Sequence, residues 1–266
     1  MSKIISVENL VKRYSGSNQN AVDGVSFGVE AGEIFAFLGP NGAGKTTTIK
    51  ILTTLLSPTS GAIRINNFDP TKQSDDARKS FGIVFQDPSL DDELTAWENM
   101  EFHGVLYGVA KPLRRARIEQ LMKFVGLWDR RNELAKHFSG GMKRRLEIAR
   151  GLLHHPKVLF LDEPTVGLDP QTRNHIWTYI QGLNREEGIT VFLTTHYMEE
   201  AENVASRVGI IDHGKIVATG TPADIKLQTK TNSLNDAFIE LTGREVREEE
   251  ASAVDQMRMR RRAFRH

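Results

Sequence analysis

The sequence predicts an α/β fold with a mostly parallel sheet, an N-terminal antiparallel β-subdomain and an inserted α-helical subdomain. Three observations predict it. Short apolar runs of strand length alternate with helical patterns along most of the chain, the order that a helix-covered parallel sheet requires. The opening third carries shorter strand-like pieces separated by glycine-containing turns, which suits an antiparallel side sheet. From 87 to 156 no strand pattern occurs, and apolar residues recur at helical spacing instead.

In chain order, the side-sheet strands are read at 4–8, 25–30 and 62–65, and the core strands at 34–38, 82–85, 158–161, 190–194 and 208–211. The run IFAFL at 34–38 is apolar throughout, as a strand buried on both faces must be. Within the insert, Ile118, Leu121, Met122 and Val125 share one helix face. Met142, Leu146, Ala149, Leu152 and Leu153 share another. Asp87 with Pro88 and His155 with Pro156 bound the layer, since a residue before proline leaves the helical region. The chain is therefore read as one domain over 1–227, with 87–156 inserted, followed by a C-terminal helical extension with a basic tail over 228–266.

Composition narrows the function. The 266 residues are enough for a substantial core. Lysine plus arginine (35) balances aspartate plus glutamate (34), so no nucleic-acid partner is expected. The absence of cysteine excludes disulfides and thiolate metal sites and suits a reducing compartment. The opening MSKIISVENLVKRY is charged throughout and lacks the apolar stretch of a secretory leader. Apolar runs are far shorter than the ~18 residues that span a bilayer, so a membrane role is expected only through another chain.

The chemistry concentrates in a few motifs. GPNGAGKTT, comprising Gly39, Pro40, Asn41, Gly42, Ala43, Gly44, Lys45, Thr46 and Thr47, fits G-x-x-x-x-G-K-[ST] between a strand and a helix, the phosphate-loop context. Glycines let backbone amides turn towards a phosphate, the helix terminus adds its dipole, Lys45 reaches the β- and γ-oxygens, and Thr46 is a candidate Mg²⁺ ligand. VLFLDEPT ends a strand in two acids: Asp162 is the candidate carboxylate for Mg²⁺, and Glu163 the candidate base for the attacking water. His196 closes TVFLTTH and is expected to orient Glu163 or donate to the γ-phosphate. Gln86 follows GIVF, where its amide would meet Mg²⁺ or the water.

A further motif is KHFSGGMKRR, which places Gly140 and Gly141 at the head of a helix. Glycine there costs about 0.8–1 kcal/mol relative to alanine. One reading makes Ser139 a plain N-cap before a solvated face of Lys143, Arg144 and Arg145. A cap alone does not require the glycine pair.

Taken in order, GPNGAGKTT, Gln86, SGGM, LDEP and His196 resemble the ATP-binding subunit of ATP-binding-cassette (ABC) transporters, a P-loop NTPase, over nearly the whole chain to about residue 227. The resemblance implies that Ser139, Gly140 and Gly141 belong to the family signature and bind the phosphate of ATP held by a second ATPase subunit packed head to tail. Phe138 and Met142 stand where the family usually has Leu and Gln. It further implies that Tyr14 stacks on adenine and that Gly167, Leu168 and Asp169 join the two sites. The segment 90–107 would receive a helix of the membrane subunit, with Leu94, Trp97 and Met100 either lining that groove or packing in the core. YMEEAENVASRVGIIDHGKIVATGTP and SLNDAFIELTGRE look most like the daunorubicin-resistance exporter branch. The expected cofactors are ATP and Mg²⁺. The expected partners are separate permease subunits, which would hold the chain peripherally at the cytoplasmic face of the cell membrane.

Rival readings are fewer in support. Translation-factor cassettes normally carry two copies per chain, and repair ATPases carry a long coiled coil, for which no sustained heptads are present. An importer ATPase is a second rival, against which the tail SLNDAFIELTG argues for export. Intact Glu163 and His196 argue against a module that binds nucleotide without hydrolysing it. Arg258, Arg260, Arg261, Arg262 and Arg265 form an acid-free cluster, read as a solvated terminus or a contact for anionic lipid.

Overall fold

A computed structural model describes residues 3–243. The arginine cluster of the tail lies outside them. The chain begins with two long strands, β1 (Lys3–Arg13) and β2 (Asn20–Glu30), followed by β3 (Ile34–Leu38) and α1 (Lys45–Leu52). Next come β4 (Ser60–Ile65), α2 (Ser74–Ser80) and β5 (Phe81–Val84). A helical stretch follows, α3 (Ala96–Leu106), α4 (Lys111–Phe124) and α5 (Gly140–Gly151), leading to β6 (Val158–Asp162). The rest is α6 (Pro170–Glu187), β7 (Thr190–Thr195), α7 (Met198–Val204), β8 (Arg207–Asp212), β9 (Lys215–Gly220), α8 (Pro222–Thr229) and α9 (Leu234–Thr242).

Two sheets result. The smaller, in the order β2-β1-β4, is antiparallel. The larger runs β5-β6-β7-β3-β8-β9 and is parallel except for its last pair, β8 with β9. That antiparallel edge strand is absent from the sequence reading. It turns back from β8 through His213 and Gly214, both with positive φ (46° and 76°), the conformation a two-residue primed hairpin turn requires. Only Ala218 of β9 is buried, and its apolar run, Ile216 to Ala218, is too short to announce a strand.

The alternation within β3 decides the layering. Ile34, Ala36 and Leu38 face a core shared with helices α3–α6, whereas Phe35 and Phe37 face the antiparallel sheet. On that second face Phe27, Phe35, Phe37, Phe160 and Phe192 pack with ring centroids 5.4–5.7 Å apart. Aromatic pairs of this kind contribute about 0.5–1.5 kcal/mol beyond area burial.

Register then positions chemistry. Val84 pairs with Leu161, Asp162 with Thr194, and Leu38 with Thr195. The residues that follow these strand ends, Gln86, Glu163, His196 and Gly39, therefore leave the sheet at one edge. Ligands of open parallel sheets bind outside the carboxyl ends of the strands.

Candidate active site

The phosphate-loop motif lies between β3 and α1. Gly44 occupies the N-cap of α1 with φ 110°, and no side chain caps that helix or places an acid in its first turn. A side chain at Gly44 would be strained by its φ, and its Cβ would meet the Ala21 carbonyl oxygen at 2.5 Å. A helix start left without a side-chain cap and without an acid in its own first turn is suited to an anion.

The loop opens onto a cleft of about 270 Å³ lined by Ala21, Pro40, Asn41, Gly42, Gly44, Lys45, Thr46, Thr47, Gln86 and Glu163. Lys45 is 4% exposed; its Nζ donates to the Gly39 and Pro40 carbonyls at 2.7 and 3.2 Å and lies 3.5 Å from Glu163 Oε1. Tyr14 is exposed beside this cleft, its hydroxyl 3.2 Å from Thr47 Oγ1. The lining contains a hydroxyl, an amide and a carboxylate, and Asp162 lies behind it at the end of β6. This all-oxygen donor set fits a hard cation. Mg²⁺ ordinarily completes its shell with waters and substrate phosphates rather than a protein cage.

Glu163 sits at the junction. Its backbone adopts φ 48°, unusual for a residue with a side chain, and its N–H donates to the Thr194 carbonyl and hydroxyl, both at 3.1 Å. One carboxylate oxygen faces Lys45 and the other is 3.1 Å from His196 Nδ1. Burial pushes its pKa up, but the hydrogen bond from His196 and the charge of Lys45 outweigh that, leaving it below the ordinary value. Asp162 is displaced the opposite way. Burial raises it and the Glu163 charge adds to the rise, against the hydrogen bond that Thr194 Oγ1 donates at 2.6 Å and the charge of Lys45. Adjacent carboxyls whose environments separate them are suited to different tasks.

Thr194 was not singled out from the sequence, yet its hydroxyl and carbonyl orient both acids. The only cue was the threonine doublet before His196, which carries meaning once the pairing of β6 with β7 is known. Ala21 also joins the cleft with no sequence cue.

Ser139, Gly140 and Gly141 do not line this cleft. Ser139 is the N-cap of α5, accepting from the Met142 N–H at 3.3 Å, and with Gly140 it is exposed. The two glycines differ. A Cβ on Gly141 would lie 2.4 Å from Thr172 Cγ2, whereas one on Gly140 would meet only Leu168 Cδ2 at 3.6 Å. Packing among the described residues thus explains Gly141 and leaves Gly140 unexplained.

The solvated basic face read after Ser139 is corrected in part. Arg144 is buried, donating to the Phe85 carbonyl and, at 2.8 Å, to that of Gln86, with Glu147 3.3 Å away. Met142 Sδ accepts from Arg130 at 3.2 Å, and Phe138 is buried beneath the same guanidinium, 5.5 Å from ring centroid to carbon.

Gly167 has φ 75°, and Asp169 caps α6 by accepting from the Thr172 N–H and hydroxyl at 3.0 and 2.6 Å. In α3 Met100 is wholly in the core, and half-buried Trp97 packs edge-on against Trp128 at 6.2 Å. The groove reading therefore fails for Met100. Phe102, Val105 and Leu106 on the opposite side of α3, and Leu113 at the start of α4, are exposed instead. Among the described residues no helix is long and apolar enough to cross a membrane.

Comparison with known proteins agrees with this geometry. The family model described as ABC transporter matches residues 22–166. A daunorubicin/doxorubicin resistance ATP-binding protein of Streptomyces peucetius is 43% identical over 88% of this chain and 70% of its own length. A solved ATP-binding subunit of an ABC transporter superposes with a TM-score of 0.81 at 32% identity, covering 90% of this chain and 99% of that one. A dimeric post-hydrolysis cassette bound to ADP and Pi superposes with a TM-score of 0.72 at 29% identity, over 82% and 98% of the two chains.

Proposed function

The chain belongs to the ABC transporter family as an ATPase of the drug-resistance export type, and from that premise we propose that it powers export by closing as a head-to-tail dimer on separate permease subunits. The cargo class is drugs, lipids or glycans. The observation that carries the dimer is the position of Ser139 and Gly140: exposed, outside the cleft of their own chain, and with no packing reason among the described residues for Gly140 to be glycine. A second copy would bring these groups onto the phosphates held by the first. The relative solved with ADP and Pi is itself dimeric.

Within one chain, the loop 39–47 binds the phosphates and Lys45 exchanges its contacts with the Gly39 and Pro40 carbonyls for phosphate oxygens. Tyr14 supplies a face for adenine. Thr46, Gln86 and Asp162 would hold Mg²⁺, which when bound offsets the negative charge of the phosphates. Glu163 accepts the proton of the attacking water, and His196 fixes the carboxylate that does so. These residues act by position and charge. Thr194 holds the two acids in their separate roles. The exposed apolar face of α3 and α4, with Phe102, Leu106 and Leu113, offers a seat for the permease, which accounts for peripheral attachment to the membrane.

Glu163→Gln tests the assignment, because it keeps the shape and removes the base. ATP affinity should persist, turnover should fall by at least ~10²-fold, and an ATP-dependent dimer should accumulate on size-exclusion chromatography. Undiminished turnover would remove Glu163 from the mechanism.

A further inference from the structure

Arg173 lies in the first turn of α6, and nothing in the mechanism above uses it. Its Nε donates to the Leu168 carbonyl at 2.8 Å and its Nη2 to the Tyr197 hydroxyl at 3.2 Å. The guanidinium also covers the Tyr197 ring, 4.3 Å from its centroid. That ring lies 4.2 Å from the imidazole of His196, tilted by 40°. On its other side His196 meets Glu163. A continuous chain of contacts therefore joins the turn at 167–169 to the carboxylate in the cleft.

Stability of α6 does not explain the arginine, since Asp169 already caps that helix through Thr172. Nor would any cation do. Only a planar guanidinium can donate from two edges in fixed directions while its face stacks on an aromatic ring. A parallel tie supports the same region: Glu200 in α7 accepts from the Thr165 hydroxyl at 2.7 Å, so the segment after Glu163 is held at both Thr165 and Leu168.

We propose that Arg173 is a positioning residue that seats His196 against Glu163 through Tyr197 and links that contact to the 167–169 turn. The inference rests on the proposed roles of Glu163 and His196. Misplacing a catalytic group by an ångström can cost about 10²-fold in rate, so removing the arginine should act on turnover and spare nucleotide binding.

The experiment is a double-mutant cycle in steady-state ATP hydrolysis, using Arg173→Ala, His196→Ala and the pair. Arg173→Ala should lower kcat about tenfold or more with KM for ATP changed less than about twofold, and Arg173→Lys should not restore it. In the His196→Ala background the same substitution should cost nothing further, because its effect passes through the missing imidazole. Equal losses in both backgrounds, or an unchanged kcat, overturn the proposal. Tyr197→Phe, which keeps the ring stack and removes the hydroxyl, carries the same comparison if Arg173→Ala does not fold. Its loss should also vanish without His196, and persistence there overturns the proposal as well. Full activity in His196→Ala would instead remove the underlying assignment, a separate outcome.

Discussion

At the scale of single residues, the two glycines of SGGM differ in packing, and the proposed function gives them different roles. Gly141→Ala would force a Cβ to 2.4 Å from Thr172 Cγ2, and overpacking of that kind costs about 1–3 kcal/mol. Its thermal unfolding midpoint should drop. Gly140→Ala meets no backbone or side chain closer than 3.6 Å, so its midpoint should hold or rise slightly, as glycine-to-alanine changes in helices do. On the proposed dimer its ATP turnover should nevertheless fall, because the added methyl would stand where the partner's phosphate approaches. Measuring both quantities on both variants separates the roles, and equal turnover for Gly140→Ala and the parent would count against the anion-binding role. From the sequence the glycines were one motif. Their difference became visible only when α6 delivered Thr172 to one of them. Thr194 and Arg173 were hidden for the same reason, since their partners lie 32 and 24 positions away and are set by strand register and helix docking.

Among elements, the junction of α3 with the end of α5 makes the clearest physical prediction. Tyr107 stacks on His154 at 3.9 Å between ring centroids and lies 4.6 Å from His103. Burial, with the charge of Arg150 and of His154 adding to it, pushes His103 down to about 3. Burial also lowers His154 to about 4, against the opposing hydrogen bond with the Phe81 carbonyl. An unfolded histidine titrates near 6.5. As pH falls from about 6.5 the unfolded chain takes up protons that the folded chain refuses, so stability declines towards pH 4. The urea midpoint should therefore be lower at pH 5 than at pH 7, and His103→Phe should flatten that slope. Element type was legible where a strand is buried on both faces and its run is almost wholly apolar, as in β3 and β6. It was poorly legible at β9, whose cue lay in the turn, and at Met100, where helical spacing alone did not say which side faced the core.

For the whole molecule, what could be read in advance was the order of motifs along the chain; what could not was their convergence. Parallel register carries Gln86, Glu163 and His196 to one edge, where Gln86 and Glu163 line the same cleft as Lys45 and His196 contacts Glu163. Ser139 lies outside that cleft, so its proposed task depends on a second copy. The pockets shared in the proposed dimer would make hydrolysis second order in chain concentration when dimers are scarce. ATP turnover per chain should therefore decline on dilution through the dimer dissociation constant, and a constant value would contradict the head-to-tail arrangement. The exposed placement of Ser139 has a last consequence for inheritance. In the proposed head-to-tail pair, a lesion in the lysine loop and a lesion in the serine helix, carried by different copies, would fall together in one compartment and leave its sibling whole, so two inert alleles should jointly yield a working machine.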